Sequence, residues 1–507
     1  MYGITSSRKR VASLALALLI VGTSLLVLGP VAKGGSQVSH TPIAIMGDSG
    51  FTAANGVTAG SGTALDPYVI SGWSISQSLV TGALGIMKTR AHFVVRNVTV
   101  YGGADAIVLS NVTNARLENL AASGGANGST GQGAAIRVSN STSVSIVGVT
   151  VQSGSDPYKG GGGPGIVVGS SANIVISNNN LPYVSNDGMD ILNDANMTIV
   201  GNTVGPSQDG YGMQVSGSNI TLSGNKFQHS GLVLGSDATV TPDNTVNGNP
   251  LYYFNGCGGS GLTLDRVPVG ELIIDHCSNV RLSNLNVTAT DVGIRMNDVH
   301  HVLINNTTLF GETHDGIYLS SSSDVTIEHN RFNLTLNYFE GPGAWPDLLI
   351  DHSNNTIVDG NLFDQGYGTA IQAQHLVNAN ITGNTFSNNV GLIYWGGTGT
   401  NIQIYHNNFY ITKGFTFLGL TDSQPRHFWD NGYPSGGNYW SNYTGVDKCS
   451  GPMQNICTGP DGIGDTPYFI PGGVNQDHYP LMQPFVASVD PPASTGGGMG
   501  GQPPRRA

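Results

Sequence analysis

Asp187, Asp190 and Asp209 are the best carboxylate grouping in a 507-residue chain where only 10% of residues are charged. Two carboxylates at general acid–base distance would suit a polysaccharide lyase, hydrolase or epimerase. So would a carboxylate-held calcium ion beside a basic residue. The basic residue is the weak point, because Lys is nearly absent nearby and Arg137 lies well upstream. Asp105, Asp187 and Asp315 each stand two residues before an apolar strand, with Asp209 and Asp291 close by. Asp-Gly is ordinary turn chemistry, so a plain corner reading stands beside the catalytic one. His314-Asp315 poses the same choice in a later repeat.

A second group suits binding. Arg137, Asp190, Gln214, Arg295, Tyr318, Gln372 and Tyr394 each sit between two apolar residues of an alternating run, so each points outward. Stacked repeats would bring them into one outward strip. Arg, Asp, Gln and Tyr together suit sugar hydroxyls and uronate carboxylates, although a solvated face would look alike. A third group suits a metal. Aligning Leu348/Ile350 with Ile371/Ala373 sets Asp351 over Gln374 and His352 over His375. Imidazoles about 5 Å apart on neighbouring strands match copper or zinc, with Asp351 or a loop residue completing the set. The plain alternative is two exposed turn histidines. Asp461-Gly-Ile-Gly-Asp465, with Asp447 upstream, resembles part of a calcium loop, but residues 448–460 break the required spacing.

These residues align only if the chain repeats. Residues 187–227 show the unit: an alternating run, a polar corner, a second alternating run, then Gly-Asn-x-apolar. The marker position recurs at Val98, Leu120, Val149, Asn179, Asn202, Asn225, Asn244, Leu285, Thr307, Asn330, Asn361, Asn384 and Asn407. A period this short with strand-type alternation means stacked β-coils. One coil buries about four or five side chains at roughly 1.5–3 kcal/mol each. Ordering its backbone costs about 1–2 kcal/mol per residue, so only stacking stabilises it. Asn fits a left-handed corner, and stacked Asn side chains form ladders. Leu181, Val204, Phe227, Phe332, Phe363, Phe386 and Phe409, two residues on, should stack inside.

The expected fold is all-β: a single-stranded right-handed parallel β-helix (solenoid) of roughly 13–15 coils, a single domain with N- and C-terminal caps. Residues 1–33 read as a signal peptide or N-terminal anchor, from Arg8-Lys9-Arg10 and the apolar run to Leu28. Residues 40–80 should cap the helix, 81–417 form it, 418–485 make a Gly- and aromatic-rich cap, and 486–507 be disordered. The 41-residue step from Asn244 to Leu285 leaves room for one coil plus a protruding excursion. Cys257, Cys277, Cys449 and Cys457 are an even count in an exported chain. Each pair within one local segment, Cys257–Cys277 and Cys449–Cys457, is the favoured bonding. Net charge is −12 with no basic cluster in the body, which excludes nucleic acid as a partner. Membrane contact is expected only through the N-terminal segment, and the protein should be a monomer.

Asn244-Thr-Val-Asn-Gly-Asn-Pro-Leu-Tyr-Tyr253, Asp275-His-Cys-Ser-Asn-Val-Arg-Leu-Ser-Asn-Leu285 and Asn438-Tyr-Trp-Ser-Asn-Tyr-Thr-Gly445 resemble the NosD-like proteins. So do Asp461-Gly-Ile-Gly-Asp-Thr-Pro-Tyr468 and Tyr479-Pro-Leu481. The resemblance covers residues 80–485 and implies an extracytoplasmic right-handed parallel β-helix, usually described as copper-binding, within the pectate-lyase-like group. It brings no metal-ligand motif. The expectation is a secreted or anchored binding protein, with a surface glycan or polysaccharide as the leading ligand class and copper the second. The alternatives are an enzyme on uronate polymers, using Asp187, Asp190 and Asp209, or a structural spacer. Copper and calcium are the ions in question.

Overall fold

The computed structural model describes residues 37–77, 82–102, 104–124, 133–153, 163–207, 210–333, 345–366, 368–389, 391–411 and 420–486. Segment 1–33, Asp209, Tyr338, Phe339, Phe417 and nearly all of 486–507 lie outside them.

Strands dominate, and almost all pair in parallel with the strand one repeat away. Met189–Val200 pairs with Met213–Ser223, setting Met189 beside Met213 and Ile199 beside Leu222. Leu348 pairs with Ile371 and Asp351 with Gln374. Alternation puts the apolar member of each pair inside, so Met189, Ile191, Met197 and Ile199 are buried while Asp190 faces out. The chain is a parallel β-helix whose stack begins with Val38–His40 and Ile43–Met46.

The marker asparagines form two ladders. Asn202 Nδ2 donates to Asn225 Oδ1 at 2.9 Å and to Ile176 O at 3.0 Å. Its Oδ1 accepts from Asn179 Nδ2 at 2.9 Å and Asn179 N at 3.0 Å. Both donors and both lone pairs are satisfied in a side chain with no solvent exposure. One ladder runs from Asn179 to Asn244, the other from Asn330 through Asn407 to Asn438. The left-handed corner belongs to the residue before the marker, not to the marker, at all of these asparagines except Asn244 and Asn438. Asn178, Gly201, Gly224, Gly360 and Gly383 have φ between 53° and 65°. That turn swings the marker inward, where its amide replaces water. Phe332, Phe363, Phe386 and Phe409 stack with centroids 4.7, 5.0 and 4.9 Å apart, and Trp440 continues the pile at 4.4 Å.

The stack is not continuous. Thr245–Val246 pairs with Asn249–Asn255 antiparallel, across a turn where Asn247 and Gly248 have φ of 50° and 83°. Asn-Gly with both residues left-handed is a favoured hairpin turn. Asn249–Asn255 then pairs with Glu271–Asp275. The sheet that closes each N-terminal coil thus becomes the sheet that opens each C-terminal coil. Two cores result, one from Ile43 to Leu251 plus Ile273, the other from Val269 to Ile470. The expected protruding excursion is absent: Asn249–Asn255 and Leu262–Asp265 lie in the sheets as the first part of a new coil. Cys257 and Cys277 are bonded, tying this part to the next coil, and Cys449 and Cys457 are bonded in the C-terminal region.

Candidate functional site

Each coil turns sharply after its opening strand. In the C-terminal stack the turning residues are His276, Asp298, Ser321, His352 and His375, all with φ between 46° and 53°. Backbone bonds from His276 to Asn297, Asp298 to Ser320, Ser321 to Asp351 and His352 to Gln374 hold them in one column. His352 and His375 stack at 4.2 Å between centroids. Asp351 Oδ1 lies 2.7 Å from His352 Nδ1 and 3.7 Å from His375 Nδ1. One donor atom from each of the three falls within 4.8 Å of the others, with both rings exposed and Asp351 half-buried. Two imidazoles and a carboxylate suit copper(II) or zinc, which bind borderline nitrogen and oxygen donors. Metal–ligand bonds of about 2.0–2.2 Å require only a modest closing of this set, which exposed rings accommodate by rotation.

The outward residues do not form one strip. Val108, Arg137, Val167, Asp190, Gln214 and Val233 are in register on the N-terminal stack. Arg295, Tyr318, Leu349, Gln372 and Tyr394 are in register on the C-terminal stack, on a different sheet. The hairpin at Asn247-Gly248 moves the second row sideways. Arg137 is also engaged: its Nε donates to both oxygens of Asp105 at 3.1 Å. Arg295 has no carboxylate within ion-pair distance among the described residues, and its guanidinium lies 5.5 Å over the Tyr318 ring.

Of the expected catalytic carboxylates, Asp187 lies at the joint between the stacks, and Asp190 lies in the outward row of the N-terminal stack. Asp187 Oδ1 accepts from Tyr211 N at 2.7 Å, and burial pushes its carboxyl up to about 6. Asp190 is half-buried, raised by burial and held back by Arg137. Asp209 lies outside the described residues. Sequence reasoning named Asp291 only as a corner residue near Asp187 and missed Glu271. Asp291 Oδ2 accepts from Gly212 N at 2.7 Å and Gly231 N at 2.6 Å, and Glu271 Oε2 accepts from Leu232 N at 2.9 Å. In the preceding coils the equivalent Gly165 and Gly188 N–H groups donate to Asp187 O and Tyr211 O of the following coil. Here the chain has stepped sideways, and Asp291 and Glu271 of the second stack accept these bonds instead. Burial pushes Asp291 up to about 7 and Asp315 up to about 8, and holds Glu271 well above its usual range. His314 stacks on Tyr211 at 4.3 Å and lies 4.5 Å from Trp345, and burial lowers it to about 4. The signal for this joint was Asn247-Gly248, read above only as part of a family signature.

Coil, ladder and register define the class: a right-handed parallel β-helix protein. Residues 82–265 match the family model described as right-handed beta helix region, and residues 251–445 match the one described as periplasmic copper-binding protein (NosD). The two matches together span residues 82–445, and the second contains the whole histidine column. No curated protein sequence matches the chain. Similar solved structures include the enzymatically active domain of bacteriophage CBA120 tailspike protein 2, at 11% identity, covering 71% of this chain and 46% of that one, TM-score 0.24. PfbA, a surface adhesin of Streptococcus pneumoniae, matches at 15% identity over 72% of this chain and 93% of that one, TM-score 0.28. A tailspike protein of E. coli bacteriophage HK620, in complex with pentasaccharide, matches at 12% identity over 66% and 72%, TM-score 0.31. The chain spans about half the length of the first of these. These likenesses concern the coil architecture alone.

Proposed function

We propose that this chain is an extracytoplasmic binding protein that holds copper on an exposed corner of its C-terminal stack. The observation that carries this reading is the convergence of Asp351, His352 and His375 donor atoms within 4.8 Å. The description of the family model over residues 251–445 supports it, and two disulfides fit an oxidising compartment. A bound copper ion would supply a Lewis acid or a redox centre. The protein's part is to fix the two rings by neighbouring strands and to leave one side of the site open. Titrating copper(II) into wild type and into His352→Ala/His375→Ala tests it. At least a tenfold loss of affinity, about 1.4 kcal/mol, is expected. Unchanged affinity rejects the site.

A second ligand class is favoured by Arg295. A half-buried arginine with no carboxylate within ion-pair distance among the described residues, in register with Tyr318, Gln372 and Tyr394, suits the carboxylate and hydroxyls of an acidic glycan. Binding of uronate oligosaccharides that weakens about tenfold in Arg295→Gln supports it, and equal binding rejects it. The Asp187 region is better explained as a joint than as a cleavage site, because Asp291 and Glu271 are occupied by backbone N–H groups. New unsaturated ends on uronate polymers incubated with the protein would reverse that preference.

A further inference from the structure

A second His–Asp–His group stands along the histidine column, and the sequence at its first member partly repeats that around Asp351-His352. Leu272-Ile-Ile-Asp-His-Cys-Ser-Asn279 aligns with Leu348-Leu-Ile-Asp-His-Ser-Asn-Asn355, with identical residues at five of eight positions. Asp275-His276 therefore occupies the place on its coil that Asp351-His352 occupies on its own. His276 Nδ1 lies 2.7 Å from Asp298 Oδ2, and His300 Nε2 lies 3.3 Å from Asp298 Oδ1. His276, Asp298 and His300 are all about half exposed at the side chain. His300 Nδ1 meets Ser323 Oγ at 2.8 Å, which fixes that ring with Nε2 toward Asp298. A hydrogen bond to the outer nitrogen of a histidine is the usual way of orienting a metal-binding ring.

The N-terminal stack shows what the fold itself asks of this corner. There the same position is held by Asn111, Asn140, Ser170 and Asn193, with φ between 48° and 57°. Asn, Asp and His all tolerate the left-handed region. The backbone is therefore served equally well by Asn, and the histidines of the second stack are not explained by the turn.

We infer that His276, Asp298 and His300 form a second site for a divalent copper or zinc ion, on the same edge as Asp351, His352 and His375. Two coil steps separate Asp298 from His352, about 10 Å at the spacing of neighbouring strands. Ser321 occupies the coil between and separates the two sets. The inference rests on the copper reading above and extends it from one ion to two.

The test is equilibrium dialysis of the full chain against copper(II) chloride in a glycine buffer, with bound metal measured by elemental analysis. The variants are His276→Asn/His300→Asn and His352→Asn/His375→Asn, because Asn keeps the left-handed corner at 276, 352 and 375 as in the N-terminal stack and removes the imidazole at 300. Thermal unfolding confirms that each is folded. His478→Asn is the control, since His478 pairs with Asp430 alone at 2.8 Å. The expected result is two ions for wild type and for His478→Asn, and one for each double variant. One ion in wild type, retained by His276→Asn/His300→Asn and lost by His352→Asn/His375→Asn, overturns the second site and leaves the first. No bound ion in wild type overturns both.

Discussion

The two stacks use the same coil and the same corner, yet they differ in what the corner carries. In the N-terminal stack it is Asn111, Asn140, Ser170 and Asn193. In the C-terminal stack it is His276, Asp298, Ser321, His352 and His375. The outward rows differ likewise. The first includes Val108, Val167 and Val233, and its one arginine is tied to Asp105. The second has Arg295, with no carboxylate within ion-pair distance among the described residues, followed by Tyr318, Gln372 and Tyr394. A β-helix fixes the inward residues and the sign of φ at its corners. It leaves the outward side chains free, and in this protein that freedom is used in the second stack.

Core changes should break the comparison most strongly. Phe363→Ala empties the middle of the phenyl stack and should cost about 3–5 kcal/mol in denaturant unfolding. Hydrogen exchange should then show protection falling first in the core from Val269 to Ile470. An equal fall in both cores would mean that the stacks are one cooperative unit. Asn202→Ala does the reverse. It leaves the Asn179 backbone N–H without its acceptor, takes one bond from each of the Asn179 and Asn225 side chains, and should cost about 2–4 kcal/mol, felt first in the N-terminal core.

The joint comes next. Asp291→Ala leaves Gly212 and Gly231 N–H groups unpaired and should cost about 2–4 kcal/mol, whereas Asp291→Asn keeps an acceptor and should cost less. The same group makes the joint sensitive to pH. Asp291 and Asp315 titrate at about 7 and about 8 in the folded chain, against 3.8 ordinarily. The folded state therefore binds more protons than the unfolded one between pH 4 and 8, and stability must fall as pH rises through that window. It is fully present in more acid solution. Tm should drop by a few degrees from pH 5 to pH 8, and Asp315→Asn should flatten the slope. A Tm that rises over this range would show that the carboxyls are ionised at the joint.

Corner substitutions should be the mildest. His352→Asn is expected to change stability by less than about 0.5 kcal/mol, in either direction, while weakening copper. A large loss would make the histidine structural and erase the contrast between the stacks.

Much of this was legible in the sequence, for a physical reason. Strand alternation and the recurring marker report contacts between neighbouring coils. Register therefore followed, and with it His352 above His375 and the phenyl stack. Ladder asparagines were found, but their conformation was misassigned, because the left-handed residue is the Gly, Asn or His just before them. The joint was not legible by the same route. Gly212 meets Asp291 across 79 residues and Gly231 meets it across 60, far beyond one repeat. Periodicity is silent at that range. Only the Asn247-Gly248 hairpin announced that the second stack is displaced, and with it that the outward row is cut in two.

Electron paramagnetic resonance of the copper(II)-loaded chain most directly tests whether the second stack's corner is a metal site. Nitrogen coupling from imidazole ligands is predicted in wild type, reduced in His352→Asn/His375→Asn with the fold intact. A spectrum without nitrogen coupling, or one unchanged by that double variant, would contradict the assignment of copper to Asp351, His352 and His375.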